Sequence, residues 1–182
     1  MKYEVATIFD NNHWVKTKAR ILNIEKEIHI IKELDKIMRD SLHKYNFIGV
    51  SSNNIYWDLT DIPVRQILIP SPTTNEYLPS HSTNEYISLI NPKILECNGK
   101  KYSFIESCGS IPNKCYNVER HSHILISGYN INNDFIQLKY GSKHFLSRYK
   151  MIYPLHRNKQ FIVQHEIDHL DGITLQDKGR QV

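Results

Sequence analysis

Two histidines separated by three residues stand near the C-terminal end of the sequence. His165 and His169 flank Glu166 in the pattern His-Glu-x-x-His, which continues as Leu170-Asp171-Gly172. In an α-helix, residues four positions apart lie on one face, so both imidazoles can bind a single metal ion. Glu166 lies next to that face and can reach a water molecule at the ion without binding the ion itself. The pattern therefore indicates half of a metal site with a general base, although a helix with two unrelated histidines also fits it.

Composition limits the class of protein. The chain has 182 residues, of which 40% are hydrophobic, and this suits one domain with a hydrophobic core. It has no apolar run of about 18 residues and no secretory signal, so we expect a cytoplasmic protein that does not span a membrane, or an organellar one in a eukaryotic source. The net charge of +4 comes from dispersed residues without a nucleic-acid-binding motif. Weak attraction to the ribosome is the most that this charge supports.

The chain has three cysteines, which is an odd number, and we expect it to be intracellular. Cys97, Cys108 and Cys115 therefore argue against a disulfide framework and leave metal binding, catalysis or simple burial for each thiol. His121 and His123 are two residues apart and would share one face of a strand. We interpret these two histidines as packing or surface residues rather than as a second metal site.

The periodicity of apolar residues predicts an α+β fold. Apolar residues recur every three or four positions over 24–45, which indicates an N-terminal amphipathic helix. The other predicted elements are a strand at 65–69, a long surface loop at 70–86, short strands at 86–90 and 93–96, a hairpin turn at Asn98-Gly99, and two paired strands at 123–129 and 134–140. We expect a single domain over residues 1–182, with antiparallel sheets packed around a central C-terminal helix that carries the His-Glu-x-x-His pattern.

Two histidines leave a tetrahedral ion in need of at least one more protein ligand and an open position. Cys108 is the best candidate for that ligand. It stands in the segment Ile105-Glu106-Ser107-Cys108-Gly109-Ser110-Ile111-Pro112, where Gly109 would let the backbone come close to a bound substrate.

With Cys108 included, the chain resembles the peptide deformylases. That family carries a Gly-containing first motif ending in Gln, a second motif Glu-Gly-Cys-Leu-Ser, and a third motif Gln-His-Glu-x-Asp-His-Leu-x-Gly. The third motif is matched at every defined position from Gln164 to Gly172, and the second is matched at Glu106, Cys108 and Ser110. The resemblance spans roughly residues 24 to 177.

The resemblance implies a metal-dependent hydrolase that removes the N-formyl group from the N-terminal methionine of newly made polypeptides and releases formate. Its metal ligands would be Cys108, His165 and His169. The family typically uses Fe(II), and Zn(II) or another divalent ion can substitute. A thiolate ligand suits both iron and zinc, so the sequence does not choose between them.

The resemblance also implies roles for the residues around the ion. Glu166 would take a proton from water and later deliver it to the leaving amine. The backbone N–H of Gly109 and the side-chain amide of Asn54 would stabilise the oxyanion of the tetrahedral intermediate. Gly49, Val50 and Ser107 would form part of the substrate wall.

Several residues depart from the family pattern. Asn54 stands where the first motif has Gln and is one methylene shorter, Ser107 replaces Gly, and Gly109 replaces Leu. Cys115 stands where many relatives have Arg, so a charged substrate contact would be missing or shifted to Lys114. We therefore expect slow catalysis unless the first-motif loop compensates. A catalytically weak or inactive deformylase-like protein that binds metal and formyl peptides stays open, as does a metal-dependent amidase or protease with another substrate.

Overall fold

Antiparallel strands form most of the fold. The structure is a computed structural model that describes residues 3–10, 13–72, 86–141 and 159–182. In chain order the strands are β1 (Tyr3–Val5), β2 (Val50–Ser51), β3 (Ile55–Trp57), β4 (Gln66–Pro70), β5 (Tyr86–Cys108), β6 (Ile111–Tyr129), β7 (Phe135–Gly141) and β8 (Arg180–Gln181). β2, β4, β5, β6 and β7 lie side by side in this order, and β8 pairs with β6. β1 and β3 form a separate two-stranded sheet.

β5 and β6 form one long hairpin that turns at Gly109 and Ser110. The short strands predicted at 86–90 and 93–96 are both parts of β5. The predicted hairpin turn at Asn98-Gly99 is wrong, because these residues lie inside β5, where the register with β6 shifts between Asn98 and Lys101. Gly99 has a φ of 77°, a conformation that serves a bulge as well as a turn.

The helices are α1 (Ile28–Tyr45), α2 (Lys159–Leu170) and α3 (Leu175–Lys178), with short 3₁₀ helices at Trp14–Lys16 and Ser52–Asn54. α1 begins four residues after the start of the predicted range. Its buried residues recur at helical spacing and pack into the core: Ile30, Ile31, Leu34, Ile37, Met38, Ser41 and Leu42.

The C-terminal end of α1 leads directly into the loop before β2. Asn46 adopts a left-handed conformation with a φ of 53°, which Asn tolerates better than most residues. The N–H of Phe47 donates to the carbonyl of Leu42 at 3.1 Å, and the N–H of Asn46 donates to the carbonyl of His43 at 3.4 Å. These two hydrogen bonds form a Schellman motif, so the direction of the chain at Phe47 is fixed by the helix end.

α2 packs against the sheet and is buried on nearly all sides. Its residues Val163, Ile167 and Leu170 belong to a cluster of apolar residues that also includes Ile67 and Ile124 of the sheet. A helix buried all round needs apolar residues beyond one stripe, and α2 has Phe161 and Ile162 on its other faces. Residues 165–169, with their His-Glu-x-x-His pattern, lie in the C-terminal half of α2.

The pairing of residues 123–129 with residues 134–140 is confirmed, since β6 and β7 pair from His123 opposite Gly141 to Tyr129 opposite Phe135. Most of the predicted loop at 70–86 lies outside the described residues. No helix among the described residues is long and apolar enough to cross a membrane.

Candidate active site

Three ligand atoms converge where the end of β5 meets α2. The Sγ atom of Cys108 lies 3.2 Å from Nε2 of His169, which lies 3.1 Å from Nε2 of His165. All three atoms lie within 4.8 Å of one another. A thiolate and two imidazoles fit a tetrahedral metal site that keeps one position open. Within the part of the chain that the structure describes, this is the only such group of three, and His121 and His123 belong to none.

A buried ion pair orients one of the two histidines. Nδ1 of His165 lies 3.0 Å from Oε2 of Glu106, so its Nε2 faces Cys108 and His169. Both carboxylate oxygens of Glu106 accept hydrogen bonds from Arg120, from Nε and from Nη2, each at 2.9 Å. Nη1 of Arg120 donates to Asp168, within the His-Glu-x-x-His segment. Arg120 and its two carboxylate partners therefore connect β5, β6 and α2 next to the three candidate ligand atoms.

The charges at this position set the protonation of the thiol and of the carboxylate. Burial opposes ionisation of Cys108, but His169 and His165 outweigh burial and hold the pKa of the thiol well below its usual range. The two histidines therefore favour the thiolate, the form in which cysteine binds metals. Burial also opposes ionisation of Glu106, yet its hydrogen bonds with Arg120 and His165 lower its pKa to about 2.

Glu166 lies beside the ligands and faces the loop before β2. It is 4% exposed, and within the described ranges its Oε2 atom has no hydrogen-bond partner. Burial raises the pKa of this carboxyl, against the lowering effect of the two histidines. Gly49 lies close to it: a Cβ there would come within 2.6 Å of Ile162 Cγ2 and 2.9 Å of Glu166 Oε1. Position 49 therefore has no room for a side chain.

The side-chain amide of Asn54 is fixed by two serines. Its Oδ1 accepts from the backbone N–H of Ser51 at 2.9 Å and from the Ser51 hydroxyl at 2.7 Å. Its Nδ2 donates to Oγ of Ser110 at 3.0 Å. An amide nitrogen carries two hydrogens, so one donor remains after the bond to Ser110. The loop thus holds the Asn54 amide, whose side chain is one methylene shorter than that of Gln, in one orientation beside the turn at Gly109.

These groups surround a cleft of about 240 Å³. The residues that line it come from the end of α1, the loop before β2, the β5–β6 turn and α2: Asn46, Phe47, Ile48, Gly49, Asn54, Ser107, Cys108, Gly109, Ser110, Ile162, His165 and Glu166. The prediction that Val50 forms part of the substrate wall is not met by its side chain. Val50 is fully buried in the core and its strand pairs with β4, so its side chain does not line the cleft.

Sequence reasoning missed two residues of this site. Arg120 lies on the inward face of β6, where the alternating positions Tyr116, Val118 and Ser122 are also buried. The sequence signal for Arg120 was a basic residue at one of these alternating inward positions, because an inward Arg needs buried acidic partners. Phe47 follows the Asn that ends α1, at the position where a Schellman motif commonly has an apolar residue.

Comparison with known proteins identifies the family and the fold of the chain. The family profile described as polypeptide deformylase matches residues 7–182. A peptide deformylase from Buchnera aphidicola subsp. Cinara cedri is 32% identical over 160 residues, which cover 84% of this chain and 87% of that protein.

Two solved structures share the α+β fold with antiparallel sheets and a C-terminal helix. A probable peptide deformylase from Synechococcus phage S-SSM7 has a TM-score of 0.71 at 23% identity and covers 97% of this chain and 99% of its own. The Acinetobacter baumannii peptide deformylase with Met-Ala-Ser bound has a TM-score of 0.70 at 21% identity and covers 96% of each chain. The chain therefore belongs to the polypeptide deformylase family of metal-dependent hydrolases, which remove N-formyl groups.

Proposed function

We propose that this deformylase hydrolyses the formyl group of N-formylmethionyl polypeptides in the cleft described above, with one divalent ion held by Cys108, His165 and His169. The observation that carries this proposal is the convergence of a thiolate and two Nε2 atoms beside Glu166, a buried carboxylate with an unpartnered oxygen among the described residues. When bound, the ion supplies Lewis acidity toward the formyl carbonyl and toward water. The products are formate and a polypeptide whose N-terminal methionine has a free amino group.

The residues around the ligands have separate tasks in this proposal. Glu166 accepts a proton from the attacking water and then delivers it to the nitrogen of the leaving amine. The backbone N–H of Gly109 and the second Nδ2 hydrogen of Asn54 donate to the oxygen that becomes negative when the formyl carbon is attacked. The buried pair of Glu106 and Arg120 keeps His165 in the orientation that points its Nε2 toward the ion.

Fe(II) is the ion that we propose for this site. The donor set supports a soft or borderline ion over Mg(II) or Ca(II), because one of the three ligands is a thiolate. Zn(II) fits the same three atoms and is the second candidate. We also propose that the enzyme acts in the cytoplasm on nascent chains. Contact with the ribosome stays a prediction from the net charge of +4.

Metal removal tests the proposed function. Protein stripped of metal and then loaded anaerobically with Fe(II) should release formate from formyl-Met-Ala-Ser, and the stripped protein should not. Zn(II)-loaded protein distinguishes the two candidate ions by rate. Cys108→Ala should lose the metal and the activity, whereas Cys115→Ala, which removes an exposed thiol, should keep both. Equal metal content in the two variants, or no formate from the Fe(II)-loaded protein, would refute the proposal.

Asn54→Asp tests the proposed oxyanion donor. Aspartate has the same size and can still accept hydrogen bonds from Ser51, but it has no Nδ2 donor and places a negative charge beside the developing oxyanion. We expect kcat to fall by about 10²–10³-fold, with the metal content unchanged. The assay is formate release together with the melting temperature of each variant. Ser110→Ala, which removes only the acceptor of the Asn54 Nδ2 group and leaves both bonds to Ser51, should cause a smaller loss. An Asn54→Asp variant with the original kcat would contradict the assignment.

A further inference from the structure

An aromatic ring from the loop after α1 lies directly on the backbone of Gly109. A Cβ atom added to Gly109 would come within 2.6 Å of Cε1 and 2.7 Å of Cζ of Phe47. Both residues line the cleft, Phe47 from the loop after α1 and Gly109 from the β5–β6 turn. While the ring is in place, position 109 has no space for a side chain, so the ring occupies volume that residue 109 would otherwise fill.

The ring of Phe47 is held in this position rather than left free. Its backbone belongs to the Schellman motif that ends α1, and its N–H donates to the carbonyl of Leu42. Its ring packs at a 31° tilt against the ring of Tyr45, with 5.5 Å between the centroids, and it also contacts the apolar core around α1. The end of α1 therefore fixes where this aromatic surface lies in the cleft.

The lining of the cleft contains both polar and apolar side chains. Cys108, His165 and Glu166 contribute polar groups, whereas Phe47, Ile48 and Ile162 contribute apolar side chains. Gly109, on which the ring lies, also carries the backbone N–H that we assign to the oxyanion. A substrate that places its formyl oxygen at this N–H therefore brings the adjoining amino-acid side chain close to the ring. A flexible apolar side chain gains from contact with such a surface because it leaves water there.

We propose that Phe47 is a specificity-determining residue of this deformylase. Its ring is the apolar wall for the first side chain of the substrate, and Gly109 is the residue without a side chain that leaves room for it. This inference rests on the proposed function, because it assumes that the formyl group is bound beside Cys108, Glu166 and Gly109.

Two peptides that differ only in the first side chain test the wall. For the Fe(II)-loaded enzyme, kcat/KM is measured with formyl-Met-Ala-Ser and formyl-Gly-Ala-Ser, and the ratio of the two values is the preference for methionine. Phe47→Ala should lower this ratio by about tenfold or more, mainly through KM for the methionine peptide, and Phe47→Leu should give an intermediate ratio. Phe135→Ala, which removes an exposed ring from the start of β7, should leave the ratio unchanged.

A general loss of activity with an unchanged ratio for Phe47→Ala would overturn the inference, because it would indicate a purely structural role for the ring. Absence of activity in the parent enzyme would refute the proposed function instead, so the two failures are distinguishable.

A double-mutant cycle tests the contact with Gly109. In the parent enzyme, Gly109→Ala forces its Cβ against Phe47, so the methionine preference should fall as the ring is displaced. In the Phe47→Ala background the same substitution meets no ring, and its effect on the preference should be smaller by about threefold or more. Equal effects of Gly109→Ala in the two backgrounds would show that the ring and Gly109 do not determine specificity together.

Discussion

Replacing Glu166 by Gln should lower kcat for formate release by about 10²–10⁴-fold while the protein still binds one metal ion. Gln has nearly the size of Glu, so it fills the same space beside Gly49, and the three candidate ligand atoms belong to other residues. The substitution removes the group that accepts a proton from water in the proposed reaction. A neutral amide cannot accept that proton and later return it to the leaving amine.

The measurement is kcat for formyl-Met-Ala-Ser with anaerobically loaded protein, together with metal content and melting temperature. Glu119→Gln is the matched control, because Glu119 lies at an exposed position of β6 and should keep the original kcat. If Glu166→Gln retained kcat within about threefold of the parent while metal-loaded, another group would have to be the base, and the assignment of general acid–base catalysis to Glu166 would be refuted.

The candidate metal site could be predicted from the sequence because its chemistry and its local structure depend on short spacings. His165 and His169 are four residues apart in α2, and that spacing alone places both imidazoles on one face. Cys108 followed by Gly109 could be paired with them because an ion with two histidines needs another ligand and because the motif order matches a known family. Both arguments use residues close together in sequence or motifs already known.

Other features depend on partners that are distant in sequence. Asn98-Gly99 has the composition of a hairpin turn, but β5 continues through it because β6 supplies a strand to pair with on both sides of the bulge. Val50 stands in the first motif like Gly49, yet its pairing with Leu68 of β4 directs its side chain into the core. No local sequence pattern shows whether Asn98-Gly99 forms a turn or a bulge, or whether the side chain of residue 50 faces the cleft or the core. The neighbouring strand decides both, because it sets the register.

Arg120 is the clearest example of such a dependence. Its guanidinium binds Glu106 on the neighbouring strand and Asp168 on α2, and the exposed fractions of the Arg120 and Glu106 side chains are only 3% and 1%. A buried ion pair of this kind is costly to break, because removing Arg120 takes two hydrogen bonds and the guanidinium charge from the buried carboxylate of Glu106 and leaves it His165 as its partner. The same guanidinium fixes the carboxylate that orients His165, so the stability of the fold and the geometry of the candidate metal site both depend on one residue.

Replacing Arg120 by Met should therefore lower the free energy of unfolding by about 3–5 kcal/mol and weaken metal binding by about 10–100-fold. Denaturant titrations of the metal-free protein give the first quantity, and competition with a chelator gives the second.

Arg20→Met is the matched control, because Arg20 also makes two hydrogen bonds to one carboxylate, that of Glu27. The Arg20 side chain is 35% exposed, so solvent screening should limit the loss of stability to about 1 kcal/mol or less. The double variant Glu106→Gln with Arg120→Met leaves no unpaired carboxylate at position 106 and should unfold at higher denaturant than Arg120→Met alone. If the single and double variants were equally unstable, the cost would come from lost packing of the Arg120 side chain rather than from an uncompensated buried charge.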